Sequence, residues 1–191
     1  MGKYVTRTLT ETEYQNLVKT IRIGYEYKGI KHRPNDQIAT ILVLEANLGC
    51  RIGDIVNLTT DSFVLDGEIW KLNITEQKTG KKRYFIVPAP IKAFIDHYAA
   101  SEGIKTGRLF DIGCEAVWTQ LRAATGYLGL KDVSTHSMRK KIATDMYERT
   151  GHDIEAVCSF LQHASINTTR RYIRRTDEQL ERAIAASVSL A

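Results

Sequence analysis

The sequence predicts a mainly α-helical protein with one small three-stranded antiparallel β-sheet, an α+β fold class. In most of the 191 residues, apolar side chains recur every three or four positions, which is the spacing of one helix face. Between residues 62 and 88 the pattern changes to three short runs rich in β-branched and aromatic residues. The turn-forming sequences Asp66-Gly67 and Lys78-Thr79-Gly80 separate these runs, so we expect an antiparallel meander.

The first helix is predicted from its opening residues. Thr10 is followed three positions later by Glu13, a pattern typical of a capping box. A polar stretch at 28–34 ends this helix, and 35–49 predicts a second helix that is largely buried. A short helical turn at 52–58 follows directly.

The sheet and the remaining helices follow in order. The strands are expected at 63–65, 69–74 and 84–87. The later helices are expected at 90–100, 114–125, 135–149, 153–161, 166–174 and 177–187.

Cysteine usage and hydropathy indicate a cytoplasmic protein. The three cysteines are widely spaced and form no C-x-x-C pair, which is typical of reduced packing residues. No apolar run approaches the roughly 20 residues of a membrane span, and no signal-peptide pattern opens the chain. No carboxylate cluster or cysteine pair suggests a metal, so we expect no metal and no other cofactor.

Arg51 follows a helix predicted to be buried, and a buried arginine needs a partner. Asp54 lies three residues further along, on the same helical face. One interpretation is a structural salt bridge between the two. In the other, Asp54 orients Arg51 while the free edge of the guanidinium grips a phosphate.

Four further residues between 136 and 172 could act on a phosphodiester. His136 and Arg139 lie one helical turn apart, at a predicted helix start where phosphate is favoured. His163 follows another helix and could equally be structural. Tyr172 lies between arginines, which resist burial, and a tyrosine can attack phosphorus covalently.

Basic residues gather around these positions. They are Lys78, Lys81, Lys82 and Arg83, then Arg139, Lys140 and Lys141, then Arg170, Arg171, Arg174 and Arg175. A basic run is most often a solvated face, but three runs beside the candidate site favour a nucleic-acid partner. The net charge of +5 permits such a partner. Lys78, on a hairpin turn, could protonate a leaving oxygen, and Lys81 and Lys82 compete for that role.

In this order, the residues resemble the catalytic domain of the tyrosine recombinase (phage-type integrase) family. The matching blocks are Gly-Cys-Arg-Ile-Gly-Asp at 49–54, Lys-Thr-Gly at 78–80, His-Ser-Met-Arg-Lys-Lys-Ile-Ala-Thr at 136–144 and Leu-Gln-His-Ala-Ser-Ile-Asn-Thr-Thr-Arg-Arg-Tyr at 161–172. Gln162 stands where the family usually has glycine.

The resemblance implies a site-specific DNA recombinase that forms a 3′-phosphotyrosine bond through Tyr172. Arg51 and Arg139 would clamp the phosphate, and His163 would donate to it. His136 would assist proton transfer with the nucleophile, and Lys78 would protonate the departing 5′-oxygen. The expected DNA-contacting residues are Lys81, Lys82, Arg83, Lys140, Lys141, Arg170, Arg171 and Arg174.

The resemblance also implies the domain organisation and the partners. We expect the catalytic domain at 1–175 and a C-terminal helical tail at 176–191. The family's N-terminal core-binding domain is expected to be absent. The tail helix has an apolar stripe that could pack on its own domain or on a neighbouring subunit. We expect it to dock on a neighbour in a homotetramer on double-stranded DNA, and we expect the free protein to be a monomer. Integration or excision of a phage or another mobile element is the expected biology.

Two other functions are considered. A type IB topoisomerase shares the chemistry but relaxes supercoils, and the sequence blocks match the recombinase pattern better. A DNA-binding module that no longer cleaves is disfavoured because every catalytic position is filled.

Overall fold

The computed structural model describes residues 6–173. The chain divides into two compact units, Met1–Ile142 and Ala143–Ala191. Helices predominate and one sheet has three antiparallel strands, so the predicted fold class is confirmed. The predicted tail, Arg174 and Arg175 lie outside the described residues. No helix in the described part of the chain is long and apolar enough to cross a membrane.

The helices lie close to their predicted positions. They are α1 (Glu11–Ile23), α2 (Asp36–Leu48), α3 (Ile52–Ile55), α4 (Ala89–Ser101), α5 (Cys114–Tyr127), α6 (Thr135–Arg149), α7 (Ile154–Leu161) and α8 (Ile166–Tyr172). The capping box of α1 is formed: the Thr10 hydroxyl accepts from the Glu13 amide, and the Glu13 carboxylate accepts from the Thr10 amide. Gly49 ends α2 in the left-handed conformation, which glycine adopts without steric cost.

The three-stranded sheet carries the hairpin predicted at Lys78. Its strands are β3 (Phe63–Asp66), β4 (Ile69–Thr75) and β5 (Lys82–Ile86), in the order β3-β4-β5. In the central strand Leu72 pairs with Phe63 on one side and Phe85 on the other. Because alternate residues face the core, Leu72 is fully buried while Lys82 stays exposed.

A second hairpin, which the sequence did not predict, lies between α1 and α2. It joins β1 (Tyr25–Tyr27) to β2 (Ile30–His32), and Lys28 and Gly29 both have positive φ in its turn. Strands of three residues are too short to show an alternating pattern, so the sequence prediction missed them. The hairpin packs on α5 at Gly126, where a Cβ would lie 2.8 Å from the Tyr27 hydroxyl oxygen.

The two units have cores of very different size. In the first unit, buried apolar residues of α1, α2, α3, the sheet, α4 and α5 form one continuous cluster. In the second unit, counting residues 143–173 alone, the fully buried members of the cluster are Ala143, Val157 and Leu161. Burial of apolar surface drives folding, so within residues 6–173 most of this stabilisation lies in the first unit.

Candidate active site

Arg51 lies at the junction of α2 and α3 and forms an ion pair. Its Nη1 donates to Glu76 Oε2 at 2.5 Å, and its side chain is 21% exposed. The prediction that Asp54 is the partner of Arg51 is wrong. Among the described residues, the Arg51 guanidinium has no other hydrogen bond, so its remaining N–H groups can donate to an anion.

Asp54 has a different role from the one expected. It is buried in α3, and its Oδ1 accepts from the backbone amide of Gln77 at 2.9 Å. The side chain therefore points to the backbone of the β4–β5 hairpin rather than back to Arg51. Asp54 supports the site by fixing this hairpin.

Glu76 joins Arg51 to a second, fully buried arginine. Glu76 Oε1 accepts from Arg83 Nη1 at 3.2 Å, and Oε2 accepts from the Thr79 hydroxyl at 2.6 Å as well as from Arg51. Burial alone would raise the pKa of Glu76, but the hydrogen bonds from Thr79 and Arg51 and the charges of both arginines lower it. Glu76 is thus a charged carboxylate within the fold.

Lys78 lies in the hairpin that Glu76 begins. The Gly80 amide donates to the Glu76 carbonyl at 2.8 Å, and the Glu76 amide donates to the Lys81 carbonyl at 2.9 Å. Lys78 is exposed and forms no hydrogen bond or ion pair with the residues at 6–173. Its positive charge is among the main causes of the lowered pKa of His136, which include neither Lys81 nor Lys82. This observation favours Lys78 among the three lysines.

His136 and Arg139 lie on the first turns of α6. The pKa of His136 is lowered by partial desolvation and then by the positive charges of Arg139, Lys78, Arg51 and Lys140. The imidazole is therefore neutral near neutral pH. The same charges show that four predicted site residues lie around one point of the first unit: Arg51, Lys78, His136 and Arg139.

Arg139 is almost entirely buried, with 1% of its surface exposed. Its Nη1 donates to the carbonyl of Gly49, two residues before Arg51. Arg139 is thus tied to the backbone that positions Arg51. The Arg139 charge also acts on Glu45, whose pKa is raised well above its ordinary value by complete burial, an effect that Arg139 only partly offsets.

The second unit contains His163 and Tyr172. The two rings pack edge to face with their centroids 4.8 Å apart. His163 Nδ1 lies 2.9 Å from the hydroxyl of Thr169, which is fully buried in α8. This hydrogen bond fixes the orientation of the imidazole ring. Sequence reasoning missed Thr169.

Gln162 ends α7 in the left-handed conformation, with φ 53° and ψ 36°. This backbone conformation explains why glycine is usual at the position in the resembling family. A side chain there costs roughly 1–2 kcal/mol. Gln162 directly precedes His163, so the strained backbone lies beside a candidate site residue.

The basic residues proposed to contact DNA fall into three groups. Lys81, Lys82, Arg170 and Arg171 are exposed, as the prediction requires. Lys140 is half-buried and donates to the Thr6 carbonyl. Arg83 and Lys141 do not face solvent, so their assignment to a DNA-contacting surface is wrong. Arg83 is held by Glu76 and the Leu48 carbonyl, and Lys141 forms an ion pair with Glu11 at 2.7 Å.

A groove of about 1150 Å³ opens beside His136 in the first unit. Its walls include Tyr27 and Lys28 of the β1–β2 hairpin and Trp118 and Arg122 of α5. Trp118 is 60% exposed, which is unusual for so large an apolar side chain. Cations beside aromatic rings are typical of surfaces that bind nucleic acid.

Within residues 6–173, no group of three or more His, Cys, Asp or Glu side chains could hold a metal ion. The most important residue that the sequence did not reveal is Glu76. Its only signal was an acidic side chain immediately before a basic hairpin.

The chain belongs to the phage integrase family, whose model matches residues 7–179. It is 28% identical over 193 residues to tyrosine recombinase XerA of Pyrococcus furiosus, covering 95% of this chain and 62% of that protein. The chain thus spans about three-fifths of that relative's length. The matches favour neither a topoisomerase nor a non-cleaving module.

Solved structures share the fold. The catalytic domain of bacteriophage HP1 integrase matches with a TM-score of 0.63 at 20% identity, over 95% of both chains. The XerH site-specific recombinase, bound to its difH substrate in a pre-cleavage complex, matches with a TM-score of 0.66 at 21% identity. That match covers 96% of this chain and 55% of XerH.

Proposed function

We propose that the chain is the catalytic part of a site-specific DNA recombinase that breaks and rejoins DNA through a phosphotyrosine intermediate. The observation that carries this proposal is the grouping of Arg51, Lys78 and Arg139 around a neutral His136. A group of positively charged side chains attracts a polyanion. Membership of the phage integrase family supports the same conclusion.

In this proposal Tyr172 attacks the scissile phosphorus, its oxygen forms the new P–O bond, and the 5′-oxygen of the next nucleotide leaves. Arg51 and Arg139 stabilise the negative charge that develops on the non-bridging oxygens. Attack by a 5′-hydroxyl of a partner strand on the phosphotyrosine reverses the step and releases Tyr172. The phosphodiester bond energy is conserved in the intermediate.

Proton transfer is assigned to three residues. His136, neutral because its pKa is lowered, can accept the proton of the attacking phenol. Lys78 protonates the departing 5′-oxygen. His163 Nδ1 and the Thr169 hydroxyl share a hydrogen bond. In the tautomer in which the hydroxyl donates, Nε2 carries the ring proton and can donate to the phosphate.

The partner in this proposal is double-stranded DNA, bound in the cytoplasm. Exposed Lys81, Lys82, Arg170 and Arg171 and the groove beside His136 supply cations for its backbone. A homotetramer assembled on DNA, with each tail at 176–191 docked on a neighbour, would couple cleavage to assembly. The free protein would be monomeric.

The test is covalent capture of DNA. Nicked duplexes tiled across the DNA that flanks the coding sequence are incubated with the chain and analysed on a denaturing gel. We expect a protein–DNA adduct with one or a few duplexes and none with the Tyr172→Phe variant. Tyr172→Phe should still shift the same duplexes on a native gel.

Two results oppose the proposal. Binding without any adduct indicates a non-cleaving DNA-binding protein. Relaxation of supercoiled plasmids that lack every captured sequence indicates a topoisomerase.

A further inference from the structure

The two arginines that form ion pairs with Glu76 differ in their exposure to solvent. Glu76 is 1% exposed and Arg83 is fully buried, whereas Arg51 is 21% exposed. Each carboxylate oxygen has its own arginine: Oε1 accepts from Arg83, and Oε2 accepts from Arg51. Of the two arginines bound to this carboxylate, Arg51 is therefore the one whose side chain is accessible to solvent.

The charges of these three residues sum to one positive charge. A lone carboxylate at 2.5 Å would hold Arg51 in place but would also cancel its charge. Arg83 neutralises that carboxylate from its buried side. The charge of Arg51 thus remains available to an anion although its orientation is fixed.

Glu76 also joins Arg51 to the hairpin that carries Lys78. The oxygen that binds Arg51 accepts from the Thr79 hydroxyl at 2.6 Å, and the Glu76 backbone makes two hydrogen bonds that close the hairpin. A shift of this carboxylate would move Arg51 and the residues on either side of Lys78 together.

We propose that Glu76 is a positioning residue for Arg51, and that buried Arg83 is the counterion that lets Glu76 act without cancelling the Arg51 charge. This inference rests on the proposed function, because it assigns the orientation of a group that would clamp the scissile phosphate. A misplacement of about 1 Å can reduce a rate on the order of 100-fold.

The test uses variants that separate charge from position. Glu76→Gln makes the cluster more positive, so a purely electrostatic role predicts tighter DNA binding and faster cleavage. A positioning role predicts slower cleavage, by roughly 10- to 100-fold. Because Glu76→Gln leaves Arg83 buried without its carboxylate and can impair folding, the double variant Glu76→Gln/Arg83→Met is the main protein for comparison. It keeps the net charge and removes both buried charges, a change that is often neutral for stability.

Single-turnover cleavage of a captured nicked duplex is measured for the full chain and the variants. We expect the double variant to have a melting temperature near that of the native chain. The DNA concentration that gives half-maximal cleavage should lie within about threefold of the native value, and the cleavage rate should be roughly 10- to 100-fold lower. Adding Arg51→Ala to it should cost less than Arg51→Ala costs in the native chain, because both changes act through one group. Cleavage within twofold of the native rate, or fully additive losses, overturns the inference.

A second readout does not depend on cleavage. ¹⁵N relaxation of the Arg51 Nε–H group should give an order parameter typical of a rigid site in the native chain and below about 0.6 in the double variant. An unchanged order parameter contradicts the role of Glu76 even if the chain never cleaves DNA. Absence of an adduct with the native chain, by contrast, counts against the proposed function alone.

Discussion

The two units hold their candidate catalytic residues in different ways. In the first unit, Arg51 and Arg139 are fixed by buried ion pairs and backbone carbonyls beside a large core. In the described part of the second unit, His163 follows the end of α7 and Tyr172 ends α8. The fully buried apolar side chains around them there are Ala143, Val157 and Leu161. We therefore expect the proposed phosphate clamp to be rigid, and the described helices around the proposed nucleophile to open more readily.

The ends of two helices show the same contrast. Both α2 and α7 end in the left-handed conformation, but α2 ends at Gly49 and α7 at Gln162. Glycine adopts this conformation without a steric penalty, and glutamine does not. A nucleophile that bonds to DNA and is later released benefits from local flexibility. Side chains that bind the phosphate benefit instead from being held in place in advance.

The largest expected effect follows from removing either arginine of the proposed phosphate clamp. Arg51→Ala and Arg139→Ala should each lower the single-turnover cleavage rate by about 10²–10³-fold, because each removes a preorganised donor to the phosphate. DNA binding, measured by fluorescence anisotropy, should persist. Arg139→Ala should also lower the melting temperature more than Arg51→Ala, since Arg139 is buried and bonded to Gly49. Native-like cleavage by either variant removes that residue from the site.

The next largest effect is a difference between the two units in their response to truncation of a buried leucine. Leu161→Ala should cost the second unit about 2–5 kcal/mol, because it truncates a side chain that is fully buried in the described core of that unit. Hydrogen exchange should then show lost protection in α7 and α8 while α2 remains protected. The matched Leu42→Ala change in α2 should instead reduce protection across the first unit. Equal loss of protection in both units after Leu161→Ala would show that they do not differ in stability as described.

A smaller effect is expected at Thr169. Thr169→Val keeps the buried shape but removes the hydroxyl that bonds His163 Nδ1. The loss of one such hydrogen bond is worth about 1 kcal/mol, or roughly fivefold in cleavage rate. The rate is measured with the captured duplex, and Thr168→Val serves as a control on the neighbouring position. A full native rate would mean that the ring needs no help from Thr169.

The smallest effect concerns the strained end of α7. Gln162→Gly should raise the free energy of unfolding of the second unit by about 1 kcal/mol, and Gly49→Ala should lower that of the first by a similar amount. Hydrogen exchange of each unit measures both changes. If Gln162→Gly destabilises α7, the contacts of the glutamine side chain stabilise the unit by more than the backbone strain costs.

The sequence predicted the fold class and most helices because apolar spacing and capping residues act locally. It also identified Arg51, Lys78, His136 and Arg139, which the structure groups together. It could not identify the partner of Arg51, since Asp54 is near in sequence and Glu76 is near only once the sheet has formed. The same limit explains why Arg83 and Lys141 were wrongly assigned to a DNA-contacting surface, since their burial depends on residues far away in the chain.

The most direct test of the central claim is the chemical identity of the protein–DNA bond. Mass spectrometry of a digested adduct should locate a nucleotide joined through its 3′-phosphate to the peptide that contains Tyr172. The Arg51→Ala variant should yield the same peptide at a far lower rate. A nucleotide attached to any other residue, or through a 5′-phosphate, would contradict the claim that the first unit's cations hold a phosphate for attack by Tyr172.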